Sequence, residues 1–144
     1  MSQIDFSLRV AKAQASVRAA GTYYSTDYIN LGHDKGKSII DPQARVEVRV
    51  NTAFAGGTSV DFQLVCSDTP WTDVAGTGAT NVKVLASSGA ILEAALTEDT
   101  IVFAPPFPSN VPKKYFGVRA VGVGVHTAGD FDAYVAVGPA GPNV

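Results

Sequence analysis

The chain has 144 residues, of which 46% are hydrophobic and 17% charged, so it can bury one sizeable core without disulfides or metals. Its formal net charge of -2 lacks the clustered basic excess of nucleic-acid-binding proteins, and no apolar run approaches the roughly 20 residues of a membrane span. The single cysteine excludes an intrachain disulfide, and the N-terminus lacks the basic-then-apolar pattern of a secretory signal, so we expect synthesis in a reducing cytoplasm.

The N-terminal segment, residues 4–10, alternates polar and apolar residues, a period of two that predicts a strand or an extended arm. Residues 11–20 contain many good helix formers, yet their apolar residues keep the same period, and we favour an extended conformation there. We therefore divide the chain into an extended N-terminal arm or edge strand (1–24), a β-sandwich (25–138) and an irregular C-terminal tail (139–144).

Residues 45–64 contain the clearest strand pattern of the chain. Two alternating runs flank Ala55-Gly56-Gly57, where glycine supplies the positive φ of a chain reversal, and together they predict an antiparallel β-hairpin with one buried face. The side chains expected in the core are Val46, Val48, Val50, Val60, Phe62 and Leu64. Those expected to face outwards are Arg45, Glu47, Arg49, Asp61 and Gln63. Cys66 continues the inward register, which indicates a buried structural thiol.

The second half contains short strand patterns separated by glycine and proline. The expected segments are a loop at 69–80, a strand at 81–86 turned by Ser87-Ser88-Gly89, a strand at 100–103, a proline-rich corner at 104–112 and strands at 114–125 and 131–137. Turns recur every 8–12 residues or so, the spacing of β-sandwiches. The sequence therefore predicts an all-β fold: a jelly-roll-like antiparallel β-sandwich of about eight strands with an extended N-terminal arm.

The residues that could carry catalysis do not form a recognisable constellation. His33 and His126 lie in glycine-rich and polar loops, where we expect exposed side chains. His126 with Asp130 and Asp132 comes nearest to a ligand set, but aspartates beside a turn are common, and no spacing matches a zinc or calcium motif. We expect no catalytic residue, metal or cofactor, and an enzyme built on these three residues is the weakest hypothesis.

Several aromatic and apolar residues are candidates for binding. Trp71, Tyr134 and Tyr115 could stack on sugars, although a Trp71 that closes the end of the sandwich is the favoured interpretation of that residue. Extended arms and proline corners present anchors to protein partners. The anchors predicted for contact with another protein or subunit are Ile4, Phe6, Leu8, Tyr23, Tyr24, Phe107 and Val111.

Several short blocks of sequence between about residues 25 and 137 follow one another in a characteristic order and spacing. They are residues 25–32, 52–54, 57–64, 66–68, 84–88, 114–119 and 127–129. In order and spacing the set resembles the cement (decoration) proteins of tailed-bacteriophage capsids, of the Bordetella-phage type. The proline-rich corner and the C-terminal tail depart from that family. The resemblance implies a jelly roll on the outer surface of the virion capsid, made in the host cytoplasm, that clamps neighbouring major capsid proteins.

From the resemblance we predict a structural virion protein that binds the outside of an icosahedral phage head and stabilises contacts between major capsid proteins. The implied partners are the phage major capsid protein and other copies of the chain, in a homodimer or homotrimer, without nucleic acid or membrane. The alternative is a carbohydrate-binding β-sandwich module, directed at a receptor or exposed on the virion.

Overall fold

The computed structural model describes residues 3–15, 21–32 and 44–137, and in the first segment it describes the side chains of residues 9–12 and 14. These residues form nine strands and one short 3-10 turn, Glu93–Ala95. The strands are β1 (Gln3–Ala15), β2 (Gly21–Tyr24), β3 (Ile29–Asn30), β4 (Arg45–Ala55), β5 (Ser59–Ser67), β6 (Lys83–Leu92), β7 (Thr100–Phe103), β8 (Tyr115–Val123) and β9 (Ala128–Val137).

The strands form two antiparallel sheets. The first has the order β1-β9-β4-β7 and the second the order β2-β8-β5-β6, with β3 also paired to β8. The chain stays within the second sheet at the connections β2–β3 and β5–β6 and passes from one sheet to the other at every other connection, which is the winding of a jelly roll. The predicted all-β sandwich is therefore confirmed. The last two strands, β8 and β9, occupy central positions in their sheets.

One continuous core lies between the sheets. The alternation of β4, β5 and β9 directs every second side chain inwards, and Val48, Val60 and Leu64 are fully buried. Phe62 of the second sheet meets Phe131 of the first in an edge-to-face contact, with ring centroids 5.3 Å apart. Burial of each such side chain is worth about 1.5–3 kcal/mol, so this layer holds the sheets together.

Cys66 is buried in this core, as predicted. Removal from water disfavours the thiolate, so burial raises the pKa of the Cys66 thiol above its ordinary value. The cysteine is a packing residue.

The predicted hairpin of residues 45–64 is wrong in its pairing. Strand β4 is hydrogen-bonded to β7 and β9, whereas β5 is hydrogen-bonded to β6 and β8, so the two strands belong to different sheets. The turn at Gly56-Gly57 is therefore an arch: it carries the chain from the first sheet to the second across the edge of the core. All six residues predicted to face inwards are nevertheless buried in one cluster. A period of two identifies the side chains that share a face but not the strand that supplies the hydrogen bonds.

The turn predicted at Ser87-Ser88-Gly89 is also wrong, because β6 runs straight through it. The register shifts between the pairs Gln63–Ser87 and Asp61–Ala90, so two residues of β6 oppose one of β5. Ser88 Oγ accepts a hydrogen bond from the Phe62 backbone N–H at 3.0 Å. A β-bulge inserts glycine and serine into a strand without reversing it.

Two charged residues predicted to face solvent are buried. Arg45 and Glu47 do point away from the core valines, but they are only 5% and 2% exposed. Arg45 Nε donates to Glu47 Oε2 at 2.6 Å, and Tyr134 lies beside Glu47 in the neighbouring strand. An ion pair compensates the desolvation of both charges, so these side chains can be covered.

The N-terminal strand joins the first sheet by pairing with β9. The extended conformation favoured for residues 11–20 is confirmed as far as Ala15, and residues 16–20 lie outside the described part of the chain. The Gln14 side chain ties β1 to the segment after β2, since its amide donates to Tyr24 O and accepts from the Thr26 N–H, both at 2.9 Å. The predicted tail (139–144) is likewise outside the described residues.

Candidate interaction surface

The three most exposed large apolar side chains of the described residues lie near one another at one end of the second sheet. Leu92, Val125 and Val123 are 65%, 60% and 53% exposed. Ser59 of β5 is paired with Leu92 on one side and with Val123 on the other, so these two side chains stand on the same face. Val125 follows two residues later. We call Leu92, Val123 and Val125 the corner patch.

The arch between β4 and β5 is hydrogen-bonded to the residue that follows Leu92 of the corner patch. Glu93 directly follows Leu92, and its carboxylate accepts hydrogen bonds from the backbone N–H groups of Gly56, at 3.0 Å, and Gly57. The Glu93 N–H in turn donates to Thr58 O at 3.0 Å. These bonds fix the end of β6 to the arch, so the Leu92 side chain is presented on a rigid backbone.

His126, which follows Val125, is buried in this junction rather than exposed in a loop as predicted. Its Nδ1 atom lies 3.4 Å from Glu93 Oε2, an electrostatic contact, and its Nε2 atom lies 3.4 Å from Ser59 O. The ring also meets Phe54 edge-to-face at 5.6 Å. A Cβ at Gly57 would lie 2.2 Å from the imidazole, so the arch reaches His126 only because that position is glycine.

The three residues that come nearest to a ligand set in the sequence, His126, Asp130 and Asp132, are not brought together as one. His126 faces Glu93, whereas Asp130 Oδ2 accepts a hydrogen bond from Thr52 Oγ1 at 3.1 Å on the first sheet. Within residues 3–15, 21–32 and 44–137, no group of three or more His, Cys, Asp or Glu residues is placed to hold a metal ion. The other predicted histidine, His33, lies outside the described residues.

Trp71 covers the outer face of the second sheet instead of closing the end of the sandwich. It is 3% exposed, its Nε1 donates to Ser25 O at 2.8 Å, and its ring packs against Tyr24 with centroids 5.3 Å apart. Tyr134, a second of the three candidates for sugar stacking, is 4% exposed. Buried rings offer no free face to a sugar, so neither residue forms a stacking platform on the surface of this chain.

The anchors predicted from the sequence lie mostly inside the chain. Tyr24, Phe107 and Val111 are buried, and Tyr23 is half-buried and packs against the core. Such side chains present little surface to a partner. Ile4, Phe6 and Leu8 belong to β1, and their side chains lie outside the described part.

The corner patch was not predicted from the sequence, because Leu92 and Val123 have the same apolar character as core residues. Their exposure depends on where the arch and the β8–β9 connection leave the sheet uncovered. The signal that could have located Val123 and Val125 is their spacing by Gly122 and Gly124 at the end of a strand, where a bend carries the chain away from the core.

Comparisons with known proteins place the chain in a family. The family model described as Bbp16 matches residues 10–135, from within β1 to within β9, whereas a search of curated proteins found no match. The family name indicates a Bordetella bacteriophage protein, in agreement with the phage part of the resemblance. No helix within the described residues has the length and apolarity needed to cross a membrane. Since the match covers most of the chain, the protein belongs to the Bbp16 family of phage proteins.

Proposed function

We propose that this protein is a capsid cement, or decoration, protein. It binds the outer surface of an icosahedral phage head and stabilises contacts between neighbouring major capsid proteins. The corner patch is the observation that carries the proposal, and membership of a phage family supports the choice of a capsid as the surface that the patch meets.

The composition of the corner patch favours a protein partner. Large apolar side chains that remain more than half exposed at one end of a sheet are typical of protein contact sites. Transfer of Leu92, Val123 and Val125 into an interface would contribute roughly 1–2 kcal/mol each. Because association also costs translational and rotational freedom, the patch needs further contacts from its rim, and a capsid surface is large enough to supply them.

The rigidity of the patch also favours this role. Glu93 and the arch hold Leu92, and the buried His126 holds the backbone beside Val125, so little conformational freedom is lost on docking. Preorganised surfaces bind more tightly for the same contact area. A cement protein must remain attached while the shell is under internal pressure, and a rigid contact transmits that load between capsid subunits.

Co-sedimentation with undecorated capsids of the same phage tests the proposal. We expect saturable binding and a rise in the temperature at which the shell ruptures. The double substitution Leu92→Gln with Val125→Gln should weaken binding by at least about tenfold, because about 2 kcal/mol of apolar transfer is lost. Ile101→Gln is the matched control, since Ile101 is an exposed apolar residue on the first sheet, at 38%.

Two outcomes would contradict the proposal. Absence of binding by the wild-type chain would remove the capsid role altogether. Equal loss of binding in the corner-patch variant and in the Ile101 control would show that another surface makes the contact.

A further inference from the structure

Strand β6 presents a long unprotected edge. It is hydrogen-bonded to β5 only, so its other side leaves backbone N–H and C=O groups without a strand partner among the described residues. Its ten residues contain one charged side chain, Lys83, and no proline. Proteins normally guard such edges with charge, proline, short length or bulges, and apart from Lys83 the two bulges, at Leu85 and at Ser88-Gly89, are the only such devices along β6. The other edge strand of the same sheet, β2, has four residues.

We propose that the β6 edge is the interface with a second copy of this chain. The two β6 strands pair antiparallel about a twofold axis at Ser87, which joins the second sheets of both copies into one continuous sheet. In a twofold interface each residue of β6 lies opposite a residue of the same strand in the other copy. The β6 sequence therefore shows whether the residues that oppose each other in a given register are compatible.

The side-chain directions of β6 are known from its pairing with β5. Val84, Ser87, Ala90 and Leu92 are paired with Val65, Gln63, Asp61 and Ser59, which face away from the core, so these four side chains also point outwards. Lys83 and Ile91 are paired with Cys66 and Val60 of the core, so they point to the inner side. Directly opposed residues of antiparallel strands must stand on the same face.

The register centred on Ser87 meets this requirement. It places Ser87 opposite its own copy and Val84 opposite Ala90, so outward residues oppose outward residues. On the inner side it places Lys83 opposite Ile91. No charged side chain opposes one of the same sign, which would destabilise the pair. Small residues occupy the bulge at Ser88-Gly89, and the second bulge residue, Leu85, lies opposite Gly89 of the other copy, where there is no side chain to clash with it.

The pairing has a consequence that rests on the proposed function. The twofold axis stands perpendicular to the joined sheet, so both corner patches lie on the same side, at diagonally opposite corners. A dimer would then grip the capsid at two places, and linked binding sites hold much more tightly than either alone.

Disulfide trapping of the full chain in the absence of capsids tests the pairing. Opposed Cα atoms in antiparallel strands lie about 4.5–5.5 Å apart, which is within reach of a disulfide. We expect Ser87→Cys to form a covalent dimer rapidly under mild oxidation. Thr22→Cys, an exposed position on the opposite edge of the same sheet, is the control and should remain monomeric on gels. Cys66 is buried and does not compete.

Charge variants test the register independently of cysteine chemistry. Val84→Lys with Ala90→Lys places like charges opposite each other twice, and we expect at least about tenfold weaker self-association by analytical ultracentrifugation. Val84→Glu with Ala90→Lys places opposite charges there and should retain the dimer. Equal sedimentation of the two variants, or equal trapping of Ser87→Cys and Thr22→Cys, would overturn the pairing. Because no capsid is present, that result is separate from any failure of capsid binding.

Discussion

The indole of Trp71 rests on the backbone of Gly117, so closely that a Cβ added at Gly117 would lie 2.5 Å from the Trp71 Cζ2 atom. Gly117 is the third residue of β8 and is paired with Val65 of β5, which is buried in one cluster with Trp71. A glycine inside a central strand weakens it locally, and here the missing side chain provides the space for the indole. This contact attaches the loop between β5 and β6 to the sheet.

We expect Gly117→Ala to destabilise the fold by about 1–3 kcal/mol, because the added methyl group displaces the indole. Trp71 is the only tryptophan, so a red shift of its fluorescence should report the displacement directly. A double-mutant cycle with Trp71→Ala provides the control: once the indole is absent, Gly117→Ala should cost much less. Strictly additive effects would mean that the two residues do not interact.

The buried pair Arg45–Glu47 allows a comparison within one strand. Arg45→Met should cost about 3 kcal/mol in the free energy of unfolding, because it leaves the Glu47 carboxylate without its buried countercharge. Arg49→Met breaks a pair with Asp99 of the same length, 2.6 Å, but at an exposed site, and should cost about 1 kcal/mol or less. Chemical denaturation measures both. Equal costs would show that burial does not distinguish the two pairs.

Tyr134 should make the free energy of unfolding depend on pH in the alkaline range. Burial, followed by the Glu47 carboxylate that accepts its hydrogen bond, raises the pKa of Tyr134 to about 12 from an ordinary 10.0. The folded state therefore favours the protonated phenol, and this contribution is complete below pH 10 and is lost as the pH rises from about 10 to 12.

A tyrosinate absorbance titration checks this shift. The titration should contain a late component from Tyr134, and Tyr134→Phe should remove it, whereas Tyr28→Phe, at a position 38% exposed, should leave it in place. A titration of Tyr134→Phe that keeps the late component would assign it to another residue.

The hydrogen bonds that the Glu93 carboxylate accepts should hold the arch in place. We expect Glu93→Ala to cost about 1–3 kcal/mol, because the backbone N–H groups of Gly56 and Gly57 lose their acceptor and His126 loses its charged neighbour. Hydrogen exchange of the two glycine amides should accelerate. Glu98→Ala, at an exposed acidic residue nearby in sequence, should change neither stability nor exchange. Unchanged amide exchange in Glu93→Ala would mean that the carboxylate does not hold the arch.

The sequence predicted the burial of side chains better than their strand partners. Val46, Val48 and Phe62 were recognisable as core residues because alternation depends only on which face is buried. The partners of β4 and β5 could not be recognised, because a hairpin and an arch between two sheets bury the same side chains. Pairing with β8 and β9 depends on residues at least 48 positions away, the separation of Ser67 and Tyr115.

The burial of several polar side chains was also not predicted from the sequence. Arg45, Glu47 and His126 carry the usual marks of surface residues, and their burial depends on neighbours that no local pattern reveals. The corner patch shows the converse, since Leu92 and Val123 resemble core residues. In both cases the deciding factor is which part of a sheet another segment covers, and that is a property of the whole fold.

The central positions of β8 and β9 determine when the protein can fold during its synthesis. Strands β1 and β4 are both hydrogen-bonded to β9, and β2 and β5 to β8, so each early strand waits for the last residues of the sandwich to be made. Until then the ribosome-bound chain exposes its valine-rich strands without their partners, and non-local pairing of this kind is slow. The nascent chain is therefore most exposed to aggregation just before β9 is made, and truncations that remove β9 should be recovered as insoluble protein.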